Sequence, residues 1–178
     1  MPGHSGYEAI ATMGSTSGKD IGERMRWITR EHVKVGRMGC AWLIRRFIDP
    51  DAAFLFATGK AVLADAERLD ATAYHVPGSE SERQGDTSSF EVMLERYHLT
   101  DDRALVLLGK IVGTADVHAS PWQRPEGAGL KAATDGILAL YPDDPARLDA
   151  AAALYDAFYA YCQQVVSRGQ SSEGQPVD

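Results

Sequence analysis

The chain of 178 residues has little cysteine: only Cys40 and Cys162, far apart in the sequence and both within helical patterns. Two thiols so placed cannot build a disulfide framework or a thiolate zinc cage. We predict two reduced thiols, at least one of them buried, because free cysteine is among the most buried residue types.

The sequence also lacks long apolar runs and an excess of basic residues. No stretch approaches the roughly 18 consecutive apolar residues of a membrane span, and the N-terminus has no basic segment followed by an apolar one. The formal charge of −7 argues against non-specific binding to nucleic acid or anionic lipid. We therefore expect a cytoplasmic protein with no membrane partner and do not expect this domain to bind DNA.

Several catalytic motifs are absent as well. The chain has no Gly-rich phosphate loop, no G-x-S-x-G and no H-E-x-x-H, which excludes several large enzyme classes.

The two ends of the chain differ in composition from its middle. Residues 1–23 and 168–178 are rich in small and polar residues without an apolar period, so they offer little surface to bury against the entropy of ordering. We predict a flexible arm over 1–23, one folded domain over 24–167 and a flexible tail over 168–178. A hydrophobic content of 44% is enough for the core of such a domain.

Hydrophobic periodicity indicates a few early strands followed by helices. Alternating or β-branched runs predict strands over 27–35, 53–57 and 72–76. Apolar stripes at three-and-four spacing predict helices over 40–48, 88–97, 101–112, 126–140 and 146–166. The fold class is therefore α+β, an α-rich single domain with four to six helices packed on a small sheet of short strands.

The run VGRMGCAWLIRRFIDP, residues 35–50, places arginines on an otherwise apolar segment. If its helix begins near Gly39 and Cys40, the free amide groups of the first turn point into residues 36–39, where an anion can dock. Arg37 stands beside that turn. The run therefore predicts an anion site at the start of the helix.

Two further arginines lie later in the same helix. Arg45 and Arg46 diverge by about 100°, so at most one of them can join Arg30 and Arg37 around an oxyanion or carboxylate. We predict such a site, walled by Trp42, because the guanidinium fork suits these ligands. The alternative is that the pair forms a solvated face, with one member pairing Asp49 at the helix end.

Acidic residues suggest a second, cation-binding site. The segment 78–91, GSESERQGDTSSFE, carries four carboxylates that can supply oxygen ligands to a divalent metal, especially if His75 or Asp116 folds nearby: Glu80, Glu82, Asp86 and Glu91. A divalent metal is thus the cofactor this reading implies. The alternative is a solvated loop in which Ser88 or Ser89 caps a helix.

A third candidate is TADVHASPW, residues 114–122. Asp116 and His118 are two residues apart, so in an extended segment both can reach a metal, or one can orient the other.

The order of these segments resembles the C-terminal domain of the ChrB family of chromate-resistance proteins. The resemblance runs from Trp27 to Cys162, through WITREHVKVGRMGCAWLIRRFIDPDAAFLF, YHVPGSESERQGDTSSFEVMLERYHLTD, LLGKIVGTADV and PEGAGLKAATDGIL. Its densest motif is R-x-x-C-x-W-L-I-R-R-F-I-D. The resemblance implies a role in chromate resistance, a stress response, as a regulator of chromate export or as an accessory factor.

Carried over by position, the resemblance implies these functional residues: Arg30, Arg37, Cys40, Trp42, Arg45, Arg46, Asp49, Phe90, Glu91 and Asp116. Departures from the family pattern, where an acid, a proline, a histidine and a cysteine are usual, stand at Gly36, Ala41, Arg83 or Gln84, and Ser88. The lost acid, imidazole and thiol weaken a metal or redox role and leave the arginines, which bind anions.

Three hypotheses follow. The first is a ChrB-like protein that binds a small oxyanion such as chromate through Arg30, Arg37 and the start of the Trp42 helix, as a sensor or accessory factor. The second is an enzyme, metal-assisted or cofactor-free, that uses Glu91 or Asp116 as acid or base on an anionic small molecule. The third is a transcriptional regulator, which the acidic pI opposes. The sequence leaves the oligomeric state open, including a homo-oligomer.

Overall fold

The computed structural model describes residues 25–117 and 120–173. The N-terminal arm expected over residues 1–23, and His118, lie outside these ranges. The elements in chain order are β1 (Arg26–Arg30), α1 (Val35–Leu43), a π-helical turn (Ile44–Ile48), β2 (Ala53–Ala57), α2 (Val62–Leu69), β3 (Ala71–Ala73), α3 (Ser89–Arg96), α4 (Arg103–Asp116), α5 (Glu126–Leu140) and α6 (Asp144–Glu173).

The three strands form a parallel sheet in the order β2-β1-β3. The central strand pairs Ile28 with Leu55 on one side and with Ala73 on the other. Parallel neighbours need crossover connections, which α1 and α2 supply. Because successive strand residues face opposite sides, Trp27 joins the main core beneath α1, whereas Ile28 packs with Val62 of α2 in a second, smaller cluster.

The remaining helices pack around α4, which contacts α1, α3, α5 and α6. Short polar side chains set the starts of these helices. Ser88 and Glu91 form a reciprocal capping box at α3, and the Asp102 carboxylate accepts hydrogen bonds from the amides of Ala104 and Leu105 at α4. Such caps satisfy amide groups that the first helical turn leaves free.

The α+β fold class is confirmed, with a small sheet beside six α-helices in the described residues. Helix 126–140 coincides with α5. The helix predicted over 101–112 starts at Arg103 and is capped by Asp102. Both cysteines are free and buried, so the prediction of at least one buried thiol is confirmed.

The first strand and the helix after it have other limits than the sequence predicts. The strand ends at Arg30 instead of residue 35, because the amides of His32 and Val33 donate to the Asp144 carboxylate at 2.8 and 2.9 Å and turn the chain away. Helix α1 then begins at Val35. The expected turn over residues 36–39 is therefore wrong, since these residues form the start of the helix.

Other differences are smaller. The sequence analysis missed α2, which shows only Val62 and Ala66 buried. The strand over 53–57 is half-buried at the sheet edge rather than fully buried, and the one predicted over 72–76 ends at Ala73. Helix α6 continues to Glu173, past the predicted domain boundary at residue 167. The flexibility of the tail stays a prediction.

In the described ranges, no helix combines the length and the apolar character that crossing a membrane would require.

Candidate functional site

A cavity of about 590 Å³ lies at the N-terminal end of α1. Its charged and polar lining comes from β1, α1, the 75–85 loop, α3 and the end of α4: Arg30, Arg37, His75, Glu82, Arg83, Ser89 and Asp116. The structure thus brings together Arg30, Arg37 and Asp116, which the sequence singled out in separate segments. Sequence distance had hidden that they share one cavity.

Arg37 is a buried cation whose Nε has no hydrogen-bonded partner in the described residues. Its side chain extends from the first turn of α1, the residue is only 9% exposed, and its Nε is buried with no acceptor within the described part of the chain. Burial, and then the nearby Arg30, lower the pKa of Arg37. An unpaired buried charge is costly, so an anion entering the cavity would be strongly attracted.

Ser89 provides a second unsatisfied group. It lines the same cavity, is 1% exposed, and its hydroxyl oxygen has no partner in the described residues. Its neighbour Ser88 performs the capping of α3, which leaves the Ser89 hydroxyl available. A buried polar group without a partner calls for an explanation, and a ligand in the cavity would supply one.

His75 and Asp116 stand side by side in the cavity wall. His75 Nε2 lies 3.5 Å from Asp116 Oδ2, and His75 Nδ1 lies 3.7 Å from Cys40 Sγ. Burial lowers the pKa of His75 to about 4, against the opposing pull of Asp116 and with help from Arg37. The imidazole is therefore neutral at pH 7.

Gly36 allows this wall to close against α1. A Cβ at this position would overlap Asp116 Oδ2 and His75 Cε1. The helix start can therefore approach the histidine and the carboxylate only because residue 36 has no side chain. His75 itself has a left-handed backbone, with φ of 52°, a conformation that non-glycine residues adopt at some cost.

Cys40 lies behind the cavity rather than in its lining. The thiol is fully buried, and burial followed by the charge of Asp116 raises its pKa well above the usual value. It is therefore a neutral thiol, not a thiolate nucleophile.

Trp42, Arg45 and Arg46 do not join this cavity. Trp42 is 5% exposed in the core, where it stacks on Phe90 and Tyr155. It therefore does not wall the cavity.

The two later arginines are paired with acids of α6. Arg45 Nη1 donates to Asp149 at 2.8 Å, and Arg46 Nε lies 3.7 Å from Asp156. The predicted alternative of a solvated, ion-paired face describes both, but the partners differ, since Asp49 accepts from the indole of Trp27.

Glu91 has a structural environment. Its carboxylate accepts from the Ser88 amide and hydroxyl at 3.0 and 2.8 Å, and from the Trp122 indole at 2.6 Å. These bonds place it outside the cavity lining, so the second hypothesis loses one of its two acid–base candidates there.

The acidic loop does not assemble a cation site. Glu80 pairs with Arg96, and Glu82 accepts from the Gly78 amide at 2.7 Å. Across residues 25–117 and 120–173, no three histidine, cysteine, aspartate or glutamate side chains are grouped to hold a metal. His118, the expected partner of Asp116, lies outside those ranges.

Sequence reasoning missed three cavity residues: Arg83, Ser89 as a lining group, and His75 other than as a conditional metal ligand. A signal for Ser89 existed, because only one of two adjacent serines can cap a helix. For Arg83 we see none, since a charged residue in a polar loop is ordinary.

Residues 27–162 match the sequence model of the family described as ChrB, C-terminal domain. The chain belongs to the ChrB C-terminal domain family. This ChrB-type domain is 37% identical over 136 residues to Protein ChrB of Cupriavidus metallidurans, a match that covers 76% of this chain and 40% of that protein. The domain therefore corresponds to less than half of its relative's length. No solved structure matches the chain significantly.

Proposed function

We propose that this domain binds a small oxyanion, chromate being the favoured ligand, in the cavity at the start of α1. The observation that carries the proposal is Arg37 in the cavity wall, whose buried Nε has no partner in the described residues. Protein folds keep buried charges paired or ligand-bound, since an isolated one is costly. A tetrahedral oxyanion would accept from Arg37, and from the Ser89 hydroxyl that also lacks a partner.

The arginines around the cavity favour an anion, and one carboxylate opposes it. Three arginines line it, Arg30, Arg37 and Arg83, against the carboxylates of Glu82 and Asp116. Asp116 would repel an anion placed beside it. His75 lies next to Asp116, and a bound anion would favour its protonated form, which lessens that repulsion.

The helix start adds a weaker contribution. No acidic residue occupies the first turn of α1, and Lys34 at the N-cap makes no side-chain capping bond. The partial positive charge of this helix end is therefore not neutralised by an acidic group of its own turn, which favours an anion. The family's association with chromate resistance supports chromate as the oxyanion, with a sensor or accessory role.

Calorimetric titration of chromate and sulfate into the purified domain tests the proposal. We expect binding by the wild type and a loss of about tenfold or more in Arg37→Gln, because a charge-assisted hydrogen bond is lost. Arg45→Gln is the matched control, since it removes the same charge from the other end of the helix, and its affinity should stay within about twofold.

Two outcomes contradict the proposal. One is a wild-type domain that takes up neither anion. The other is an Arg37→Gln variant, folded by circular dichroism, that binds as tightly as the wild type.

A second candidate is an enzyme acting on an anionic small molecule. The observation in its favour is that His75 and Asp116 are adjacent in the wall of an arginine-lined cavity, an arrangement suited to general acid–base catalysis. Turnover of anionic ester substrates that disappears in Asp116→Asn, while anion binding persists, would favour it. The hypothesis of a transcriptional regulator stays a prediction, as do the oligomeric state and the cytoplasmic location.

A further inference from the structure

The cavity at the start of α1 adjoins a second one. That second cavity, of about 390 Å³, is lined by Arg30, Arg37, Thr58, Gly59, Lys60, Val76 and Pro77. Arg30, Arg37, Val76 and Pro77 line both cavities. We call the larger cavity the inner lobe and the one beside Lys60 the outer lobe. The two arginines therefore stand on the boundary of a two-lobed site.

The site is much larger than a single tetrahedral oxyanion needs. Such an ion fills roughly the space of two or three water molecules, at about 30 Å³ each. The inner lobe alone has a volume of about 590 Å³, a size typical of sites for whole small molecules. One oxyanion on Arg37 would leave most of both lobes to water.

Each lobe has a cation of its own in addition to the shared pair. Arg83 lines the inner lobe, and Lys60 lines the outer lobe. The carboxylates differ in the same comparison, because Glu82 and Asp116 line the inner lobe whereas the outer lobe has no acidic residue in its lining. The outer lobe is therefore the more strongly cationic of the two for its size.

The shared arginines repel each other. Arg30 is the largest electrostatic cause, after burial, of the lowered pKa of Arg37, and no carboxylate of the described residues is ion-paired with either arginine. Arg30 is exposed, and its side chain passes close to Gly59, where a Cβ would lie 2.8 Å from Arg30 Cδ. Two like charges on a boundary are best neutralised by negative charge on both sides of it.

We propose that the two-lobed site takes a small molecule with two linked anionic groups, such as a diphosphate, one group in each lobe with Arg30 and Arg37 between them. This inference rests on the proposed anion-binding function and names the ligand class for the same site. Lys60 is then a specificity-determining residue, because it contacts only the second anionic group.

Calorimetric titration with inorganic phosphate and inorganic pyrophosphate, in metal-free buffer at fixed ionic strength, tests the inference. We expect the wild type to bind pyrophosphate about tenfold or more tightly than phosphate, since a second charge-assisted contact is added. Lys60→Gln should remove most of that advantage and leave phosphate affinity within about twofold. Lys131→Gln is the control, because Lys131 pairs with Asp135 on α5, away from both lobes.

The outcomes separate this inference from the proposed function. Equal affinity for the two probes, or an unchanged pyrophosphate affinity in Lys60→Gln, overturns the two-group ligand while chromate or sulfate binding keeps the oxyanion site. Loss of pyrophosphate affinity in Lys131→Gln as large as in Lys60→Gln also overturns it, since the effect would then be one of overall charge. If none of the four anions binds the wild type, the proposed function fails with it.

Discussion

Helix α1 and the π-helical turn that follows it carry arginines in opposite situations. At the N-terminal end of α1, Arg37 is 9% exposed and its Nε has no partner in the described residues. In the π-helical turn after the C-terminal end of α1, Arg45 and Arg46 are more exposed, and each has an aspartate of α6 beside it. One end holds a cation that the fold itself does not satisfy, and the other holds cations that it does. A residue type on a helix therefore says little about function until its partners are known.

The aromatic residues mark the same contrast. Trp42, near the C-terminal end of α1, packs against four rings and donates its indole N–H to Asp156 at 3.0 Å. No ring of this cluster lines the cavity at the N-terminal end. The C-terminal end of α1 thus packs in an aromatic cluster, whereas Arg37 Nε and the Ser89 hydroxyl at the N-terminal end have no partner in the described residues.

The largest effect should come from the structural end. Trp42→Ala removes a buried indole from this cluster and should lower the free energy of unfolding by about 3–5 kcal/mol. Trp122→Ala is the control, because Trp122 is 41% exposed, and should cost about 1 kcal/mol. Urea denaturation measures both. A Trp42→Ala variant that is as stable as Trp122→Ala would show that this end is not the structural one.

His75, beside the N-terminal end of α1, should make the stability of the fold depend on pH. The pKa of His75 is about 4 in the folded state against its usual 6.5, so the unfolded chain binds the extra proton between these values. Stability contributed by the neutral imidazole is fully present above pH 6.5 and is lost as pH falls from 6.5 towards 4, by on the order of 3 kcal/mol. Denaturation at pH 7 and pH 5 in wild type and His75→Gln measures it. An identical loss in both proteins contradicts this assignment.

A single methyl group at position 36 should disturb the contact between α1 and the cavity wall. Gly36→Ala places a Cβ against His75 and Asp116, which should destabilise the fold by about 1–3 kcal/mol and weaken anion binding. Gly136→Ala in α5 is matched to it, since nothing lies within 4 Å of that Cβ, and should stabilise by about 0.5–1 kcal/mol. Thermal unfolding separates the two signs. Stabilisation by Gly36→Ala would mean that the wall moves freely.

The smallest expected change in stability comes from replacing the arginines themselves, one at a time. Arg37→Met relieves an unpartnered buried charge and should leave stability unchanged or raise it by about 1 kcal/mol. Arg45→Met removes an exposed pair and should lower it by about 0.5 kcal/mol. Denaturant midpoints in anion-free buffer measure both. A clear loss of stability in Arg37→Met would mean that the fold, and not a ligand, satisfies that guanidinium.

Much of the fold followed from local patterns. The apolar period of α5 and the two serines before Phe90 could be recognised in the sequence, because periodicity and capping depend on neighbours a few residues apart. The start of α1 could not be predicted from the sequence. The hydrogen bond that ends β1 is accepted by Asp144, more than a hundred positions away along the chain. The sequence did not predict the polar helix α2, because only two of its residues are buried and its apolar period is short.

The site was predictable in part for the same reason. Arg30, Arg37 and Asp116 could be named as chemically able residues, but so could Arg45, Arg46 and Glu91. Local sequence does not show whether a charged side chain will lie beside an acid of a distant helix or in the wall of a cavity.

By itself, the sequence determined an α-rich α+β domain, the serine cap of α3 and the arginines of one apolar helical segment, because these depend on short-range geometry and hydrophobic period. Only the tertiary structure decided which arginine is left without a partner, since Asp149 and Asp156 of α6 lie beside Arg45 and Arg46. Asp144, at the start of the same helix, accepts from the His32 and Val33 amides instead of from Arg37. Charge is read from the chain, whereas its neutralisation depends on what folding brings within a few ångströms.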